Sequence, residues 1–350
     1  MRRDLIGALS GVAFALGACR HTPEPPAPER SAPLSSPALP ASVVELPTIP
    51  DLPGIAPARG APGSKIKHVI VIAMENHDAD EIYGDAMNAP YFHSLLSQYA
   101  HTQNFDDELP LDIPSEGHYV WMEAGTHQFS DALFDDDSPP SPSVSTGSNK
   151  HLTRQIKNSD TGLSWMAYEE GLNEQTGACP IRSAGFYVPK HNPFVFFRDL
   201  AGDPPAKDNP YCAAHHKPYS ALKADLEGEL ASYVFVTPDE CHDMHGQRGC
   251  PEENPIRTGD RWLSSELPPL IAYAERHASV IFITFDEGGS TPKLPFFAIG
   301  PMVKKGYTGT ERYNHSSQLK TVELILGLPP LPAVATSNDL SDLFQAGAFP

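Results

Sequence analysis

The apolar run Val69-Ile70-Val71-Ile72-Ala73-Met74 stops abruptly on Glu75-Asn76, and this junction constrains the fold more than any other stretch. A second run, Val280-Ile281-Phe282-Ile283-Thr284-Phe285, stops on Asp286-Glu287-Gly288-Gly289. Continuous β-branched and aromatic residues without polar alternation read as strands buried on both faces, the pattern of a parallel sheet covered by helices. Tyr233-Val234-Phe235-Val236 is a third such run, followed by Asp239-Glu240 and then Cys241-His242-Asp243-Met244-His245. Ligands of open α/β sheets bind beyond the carboxyl ends of the strands. Strand ends that deliver carboxylates, an amide and imidazoles to that edge predict a hard-metal or phosphate site.

Strand and helix patterns alternate along the body, which predicts a doubly wound α/β fold, a mostly parallel sheet with helices on both faces. Helices are expected over residues 90–100, 162–170, 219–230, 262–277 and 316–326. Pro268-Pro269 should break or kink the fourth, and Gly327 should end the fifth. Short strands are expected at 184–188 and 295–303, with residues 190–194 as a loop. Ser115, within Ile113-Pro114-Ser115-Glu116-Gly117-His118-Tyr119, is expected at a helix N-terminus. Free backbone N–H groups and the helix dipole favour an anion there. A plain capping serine has the same local signature. His315 stands at the start of the last helix.

The formal charge of −19 argues against nucleic acid or an anionic membrane surface as the main partner, since either selects a basic face. The acidic runs Asp106-Asp107-Glu108 and Asp135-Asp136-Asp137 read as solvated loop residues rather than metal sites. Arg2-Arg3, an apolar stretch over residues 5–16 and Leu16-Gly17-Ala18-Cys19 form an export signal too short to span a bilayer. Leu-Gly-Ala-Cys also resembles a bacterial lipobox, in which Cys19 is lipidated. Arg20 then favours an outer-membrane lipoprotein, with an ordinary cleaved signal and a secreted product as the alternative. Residues 20–64 are dense in Pro, Ala and Ser and read as a disordered tether, leaving residues 65–350 as one catalytic domain.

Apart from Cys19, four cysteines remain, and an exported chain matures where disulfides persist. Of the three possible pairings, Cys179–Cys212 with Cys241–Cys250 is preferred, the second closing a short loop around His242, Asp243 and His245. Zinc binding is the alternative, weakened by the lack of paired C-x-x-C spacing.

Five stretches in order, Ile66 to His77, Lys190-His191-Asn192-Pro193-Phe194, Asp243-Met244-His245, Ile283 to Gly288 and Tyr313-Asn314-His315, resemble the bacterial and fungal phosphoesterase family. Its members include acid phosphatases and phospholipases C, within the alkaline phosphatase superfamily. The resemblance implies a divalent cation held by Glu75, Asn76, Asp286 and Glu287, with Ser115 as nucleophile and further ligand. Zinc, calcium, magnesium and manganese are not distinguished, nor is one ion from two. Asp243 is a further candidate ligand, His245 and His315 candidate catalytic groups, and His118 and His191 candidate substrate-binding groups. These histidines would grip the phosphate, protonate the leaving oxygen or complete a second metal site.

The chain departs from the family where the nucleophile region commonly reads His-Pro-Ser-x-Pro-Asn-Tyr. Here Ile113, Gly117 and His118 stand in place of the histidine, the second proline and the asparagine, and His118 is a donor of similar reach. Glu75-Asn76-His77-Asp78 also lacks the Arg-Ser-Phe-Asp continuation of many phospholipases in the family. The expected activity is hydrolysis of small phosphate monoesters through a phosphoserine. A phospholipase C acting at a phospholipid headgroup, or a catalytically degenerate binding lipoprotein, are the alternatives.

Overall fold

The computed structural model describes residues 63–350. The expected export signal, Cys19 and nearly all of the expected tether lie outside the described residues. Ten strands follow in chain order: β1 (His68–Met74), β2 (Ala100–Thr102), β3 (Phe105–Asp106), β4 (Trp165–Glu169), β5 (His216–Pro218), β6 (Tyr233–Thr237), β7 (Ser279–Phe285), β8 (Lys293–Leu294), β9 (Phe296–Ile299) and β10 (Thr308–Gly309). The α-helices are α1 (Ala79–Tyr83), α2 (Pro90–Leu96), α3 (Ser115–Ala124), α4 (Leu152–Asn158), α5 (Arg198–Ala201), α6 (Pro210–Ala214), α7 (Leu222–Asp225), α8 (Pro255–His277) and α9 (His315–Leu326).

Eight strands form one sheet in the order β10-β2-β9-β7-β1-β6-β4-β5, and β3 pairs with β8 separately. The central strands run parallel, and β9 alone opposes its neighbours β7 and β2. Every residue of β1 and β7 is buried, as expected for strands covered on both faces. The two pair in register from His68↔Ser279 to Met74↔Phe285, so both chains leave the sheet side by side. Two backbone bonds extend the alignment: Asp286 N–H donates to Met74 O at 3.1 Å, and Glu75 N–H to Asp243 O at 2.8 Å.

Several local expectations are corrected. Residues 165–169 form β4, not a helix. Five residues buried on both sides carry no periodicity that separates helix from strand, and pairing with β6 and β5 decides. The helix expected over 90–100 ends at Leu96, and Ala100 already belongs to β2. Residues 184–188 make a tight turn closed by reciprocal bonds between Ala184 and Tyr187. The loop expected at 190–194 is two 3₁₀ turns, Pro189–His191 and Pro193–Phe196, each begun by a proline. The segment from Tyr219 is a 3₁₀ turn and one α-turn, ending at Asp225.

Helix α8 starts at Pro255, capped by Asn254, and runs unbroken through Pro268 and Pro269. Both prolines lie on its exposed side, as do Ser264 and Ser265, whose carbonyls they leave unpaired. Trp262, Leu263, Leu267, Leu270 and Tyr273 supply the buried stripe opposite. Asp260 of α8 accepts the Tyr91 and Phe92 N–H groups at 3.1 and 2.9 Å, docking the start of α2. Both preferred disulfides are present, Cys179–Cys212 and Cys241–Cys250.

Candidate active site at the carboxyl edge of the sheet

Helix α3 begins at Ser115, with the extended Pro114 as its cap. A proline at that place has no side-chain acceptor, so the helix start is left to other partners. Glu116 N–H finds Asp137 Oδ1 at 3.0 Å. Gly117 is required by packing, because a Cβ there would stand 2.7 Å from Phe134 O and 2.8 Å from Ile113 Cγ2.

The start of α3 is aimed at the ends of β1 and β7. The buried Ser115 hydroxyl lies 3.1 Å from Glu75 Oε2 and 3.3 Å from Glu287 Oε1. Asn76 sits in the left-handed region at φ 45°, an unusual state for a non-glycine residue. That bend brings its backbone N–H to Asp286 Oδ1 and its amide to Glu287 Oε1, each at 3.2 Å. Gly288 permits the tight turn beyond, since a Cβ would meet Thr291 O at 2.0 Å and Asp78 Oδ1 at 2.6 Å. Glu75, Asn76, Ser115, Asp286 and Glu287 thus form one linked set.

On one side, His191 Nε2 is 3.3 Å from Glu75 Oε1, and its Nδ1 is 3.4 Å from Asp243 Oδ2. All three side chains are buried, and the His191 ring stacks on Tyr119 at 5.1 Å between centroids. His245 is drawn only to the rim. Its backbone N–H donates to Asp243 Oδ1 at 2.7 Å, but its half-buried ring points to Gly246 O and lies 6.2 Å from the His191 ring.

On the other side stand Asp107, His118 and His315, all buried, with ligand atoms within 4.8 Å of one another. His118 Nε2 donates to Ile113 O at 3.0 Å, lies 3.8 Å from Glu287 Oε2, and its Nδ1 is 3.1 Å from Asp107 Oδ1. With acceptors at both nitrogens the ring is held as a cation. Burial pulls its pKa down, but the bond and charge of Asp107, with Asp286 and Glu287 behind, lift it to about 9. His315 donates from Nε2 to Phe285 O at 2.8 Å, and burial lowers its pKa to about 4, so its Nδ1 keeps a lone pair.

Carboxylates dominate the electrostatics. Burial first, then Asp243, pushes the Glu75 carboxyl far above its ordinary range. Burial followed by Glu75 and Glu287 does the same to Asp286, and burial raises Asp243 and Glu287 as well. Glu75 Oε1, Asn76 Oδ1, Asp243 Oδ2 and Asp286 Oδ2 are buried without a hydrogen-bond partner. Orphaned, mutually repelling oxygens are costly unless a cation joins them, and this donor set suits a hard divalent ion.

Sequence reasoning missed Asp107 and Lys190. The run Asp106-Asp107-Glu108 is not solvated: Asp106 pairs with Lys293 and Arg312, Glu108 accepts the Ser316 N–H at 2.8 Å, and Asp107 faces His118. Nothing in the spacing of three adjacent acids signals which one turns inward. Lys190 bonds Asp137 at 3.0 Å; burial pulls its pKa down, but Glu75 and Asp137 raise it overall. Asp135 and Asp136 are exposed, as expected.

The profile of the Phosphoesterase family matches residues 113–329. The chain is 29% identical over 234 residues to a phosphate-repressible acid phosphatase of Penicillium chrysogenum, across 63% of this chain and 51% of that protein. It therefore spans about half the length of this curated relative. Among solved structures, murine ectonucleotide pyrophosphatase/phosphodiesterase 5 in complex with AMP superimposes with TM-score 0.50 at 12% identity, covering 79% of this chain and 100% of that one. A Pseudoalteromonas sulfatase gives TM-score 0.51 at 11% identity, covering 80% and 72%. Likeness at such identities shows a shared fold.

Proposed function

The chain belongs to the phosphoesterase family, and from that premise we propose that it hydrolyses phosphate monoesters through a covalent phosphoserine on Ser115. The observation that carries this reading is the Ser115 hydroxyl at the start of α3, within 3.3 Å of both Glu75 and Glu287 and beside buried, unpartnered carboxylate oxygens. Glu75, Asn76, Asp286 and Glu287 would hold a divalent cation, with Asp243 and His191 adjoining for a second. When bound, such an ion favours the ionised form of a neighbouring hydroxyl and offsets charge on phosphoryl oxygens.

The remaining steps belong to the protein's own groups. Ser115 Oγ attacks phosphorus as its proton passes to a flanking carboxylate, and the bond to the alcohol breaks. His245, at the rim, gives the departing oxygen its proton. Water then attacks the phosphoserine, its proton returning to His245, and Ser115 recovers its own. Splitting one displacement into two lowers the barrier that each must cross. With both ring nitrogens already engaged by Ile113 O and Asp107, His118 acts on the anionic phosphate through its positive charge rather than by donating to it, and His315, oriented by Phe285 O, flanks it. A charged His118 where relatives carry a neutral amide favours the doubly charged monoester over a diester.

Export and anchoring through Cys19 form part of the same reading, supported by two disulfides of the kind that persist in an oxidising compartment. The deciding experiment offers the purified chain p-nitrophenyl phosphate, its diester and phosphatidylcholine, with a panel of divalent ions. Turnover of the monoester alone is expected. Preference for phosphatidylcholine would make it a phospholipase C, and inactivity on all three would make it a binding lipoprotein.

A further inference from the structure

At the amino end of the sheet, His68, Glu229 and His277 bring together one ligand atom each, all within 4.8 Å of one another. The seven residues of β1 separate this cluster from Glu75, about 20 Å at the usual strand rise. It is therefore distinct from the site around Ser115.

His68 is fully buried, and its Nδ1 lies 3.0 Å from Ala231 O. A backbone carbonyl only accepts, so Nδ1 carries the proton and Nε2 presents a lone pair. That Nε2 is buried with no hydrogen-bond partner and points at Glu229 Oε1, 3.4 Å away. Buried ring nitrogens are rarely left orphaned. A simple ion pair with Glu229 would require a second proton on His68, whereas burial pulls the ring's pKa below its ordinary value, Glu229 notwithstanding.

We propose that His68, Glu229 and His277 form a zinc-binding site at the amino end of the sheet, separate from the catalytic ions. Two imidazoles and a carboxylate are a donor set that suits zinc. Bonds of about 2.0–2.1 Å in tetrahedral geometry set ligand atoms about 3.3–3.4 Å apart, the separation between His68 and Glu229. Ala231 O supplies the outer bond that fixes the tautomer of a metal-ligating histidine. His277 is the last residue of α8, where the helix dipole favours a cation, and its ring stacks on Tyr273 with centroids 4.1 Å apart. Glu229 is 39% exposed, so an ion can enter and water or an outside ligand can take the fourth position. The site clips β1, the segment before β6 and the end of α8 together. Its role is to tie these elements, not to act on substrate.

The test uses the full chain, stripped with chelator and titrated with zinc chloride, then desalted and counted for metal. His277→Gln and Glu229→Gln alter half-buried or exposed side chains, which avoids the folding risk of replacing buried His68. Each should bind one zinc equivalent fewer than the parent and lose a zinc-dependent rise in Tm of about 5 °C. Both should keep parental phosphatase activity and circular dichroism. The same one-equivalent difference should persist in an Asp286→Ala background, where catalytic metal is removed. Equal zinc counts in parent and variants, in either background, overturn the site whatever the activity, so this test does not depend on the catalytic reading.

Discussion

Ser115 sits where a helix start and two carboxylates meet, and its reactivity has to come from more than the helix. A helix dipole contributes up to about 2 kcal/mol, far too little to ionise an alcohol near neutral pH, whereas a bound cation can shift a hydroxyl by many pKa units. On the proposed reading, serine and cation would therefore act as a unit. Ser115→Ala should abolish turnover with metal content largely kept, while Asp286→Ala should lose both. The double variant should be little worse than either single one, measured as kcat with parallel metal counts. Acid quenching during turnover should leave phosphate on the Ser115 peptide; a phosphopeptide elsewhere would refute the mechanism. Asp107→Asn removes the anion that holds His118 as a cation. A hydrogen bond to a charged group is commonly worth about 1.5–3 kcal/mol, which is about 10- to 150-fold. Monoester kcat/KM should fall within that range and diester activity change less; an equal fall in both would separate His118 from charge recognition.

Elements are held by features that report on pH and redox state. Glu323 of α9 is buried, accepts the Leu331 N–H at 2.9 Å through Oε1 and leaves Oε2 without a partner. Burial lifts its pKa to about 8 despite that bond. A carboxyl whose folded pKa is raised contributes stability that is complete below its ordinary value near 4.5 and is lost as pH rises through 8. Glu323→Gln keeps the acceptor without the charge. The parent should lose stability between pH 5 and 9 by an amount on the order of a few kcal/mol at most, read as a falling Tm, and the variant's Tm should be flatter. Parallel curves would remove Glu323 as the cause. The Cys241–Cys250 bridge closes a loop of sequence separation 9 that carries Asp243 and His245. In the chain-entropy picture so short a loop contributes about 2–3 kcal/mol. Its reduction should cut activity at concentrations of reductant that leave circular dichroism unchanged, and a simultaneous loss of both signals would show that the bridge holds the whole domain instead.

For the molecule as a whole, residues 1–62 and the described body pose separate questions. If Cys19 is the lipidated first residue of the mature chain, Cys19→Ser should move the protein from membranes to the soluble fraction without lowering the activity of its body. Fractionation and N-terminal mass analysis decide; a native mature chain free in the medium, starting at another residue, would end the anchoring proposal.

The sequence alone determined that buried strands end on Glu75-Asn76, on Asp286-Glu287 and ahead of Asp243, because the break from apolar to polar is local and abrupt. It also placed the start of α3 at Ser115, and of three pairings that the cysteine count left open it favoured the one that the structure contains. What it left to the tertiary structure is everything that depends on distant neighbours. Trp165–Glu169 becomes β4 because β6 and β5 flank it, not through its own periodicity. Asp107 turns inward because β3 is pinned to β8 and His118 waits there. Glu229 lies 161 residues beyond His68 in the chain and His277 a further 48 beyond Glu229, so no local pattern spans the cluster and the fold alone brings the three together.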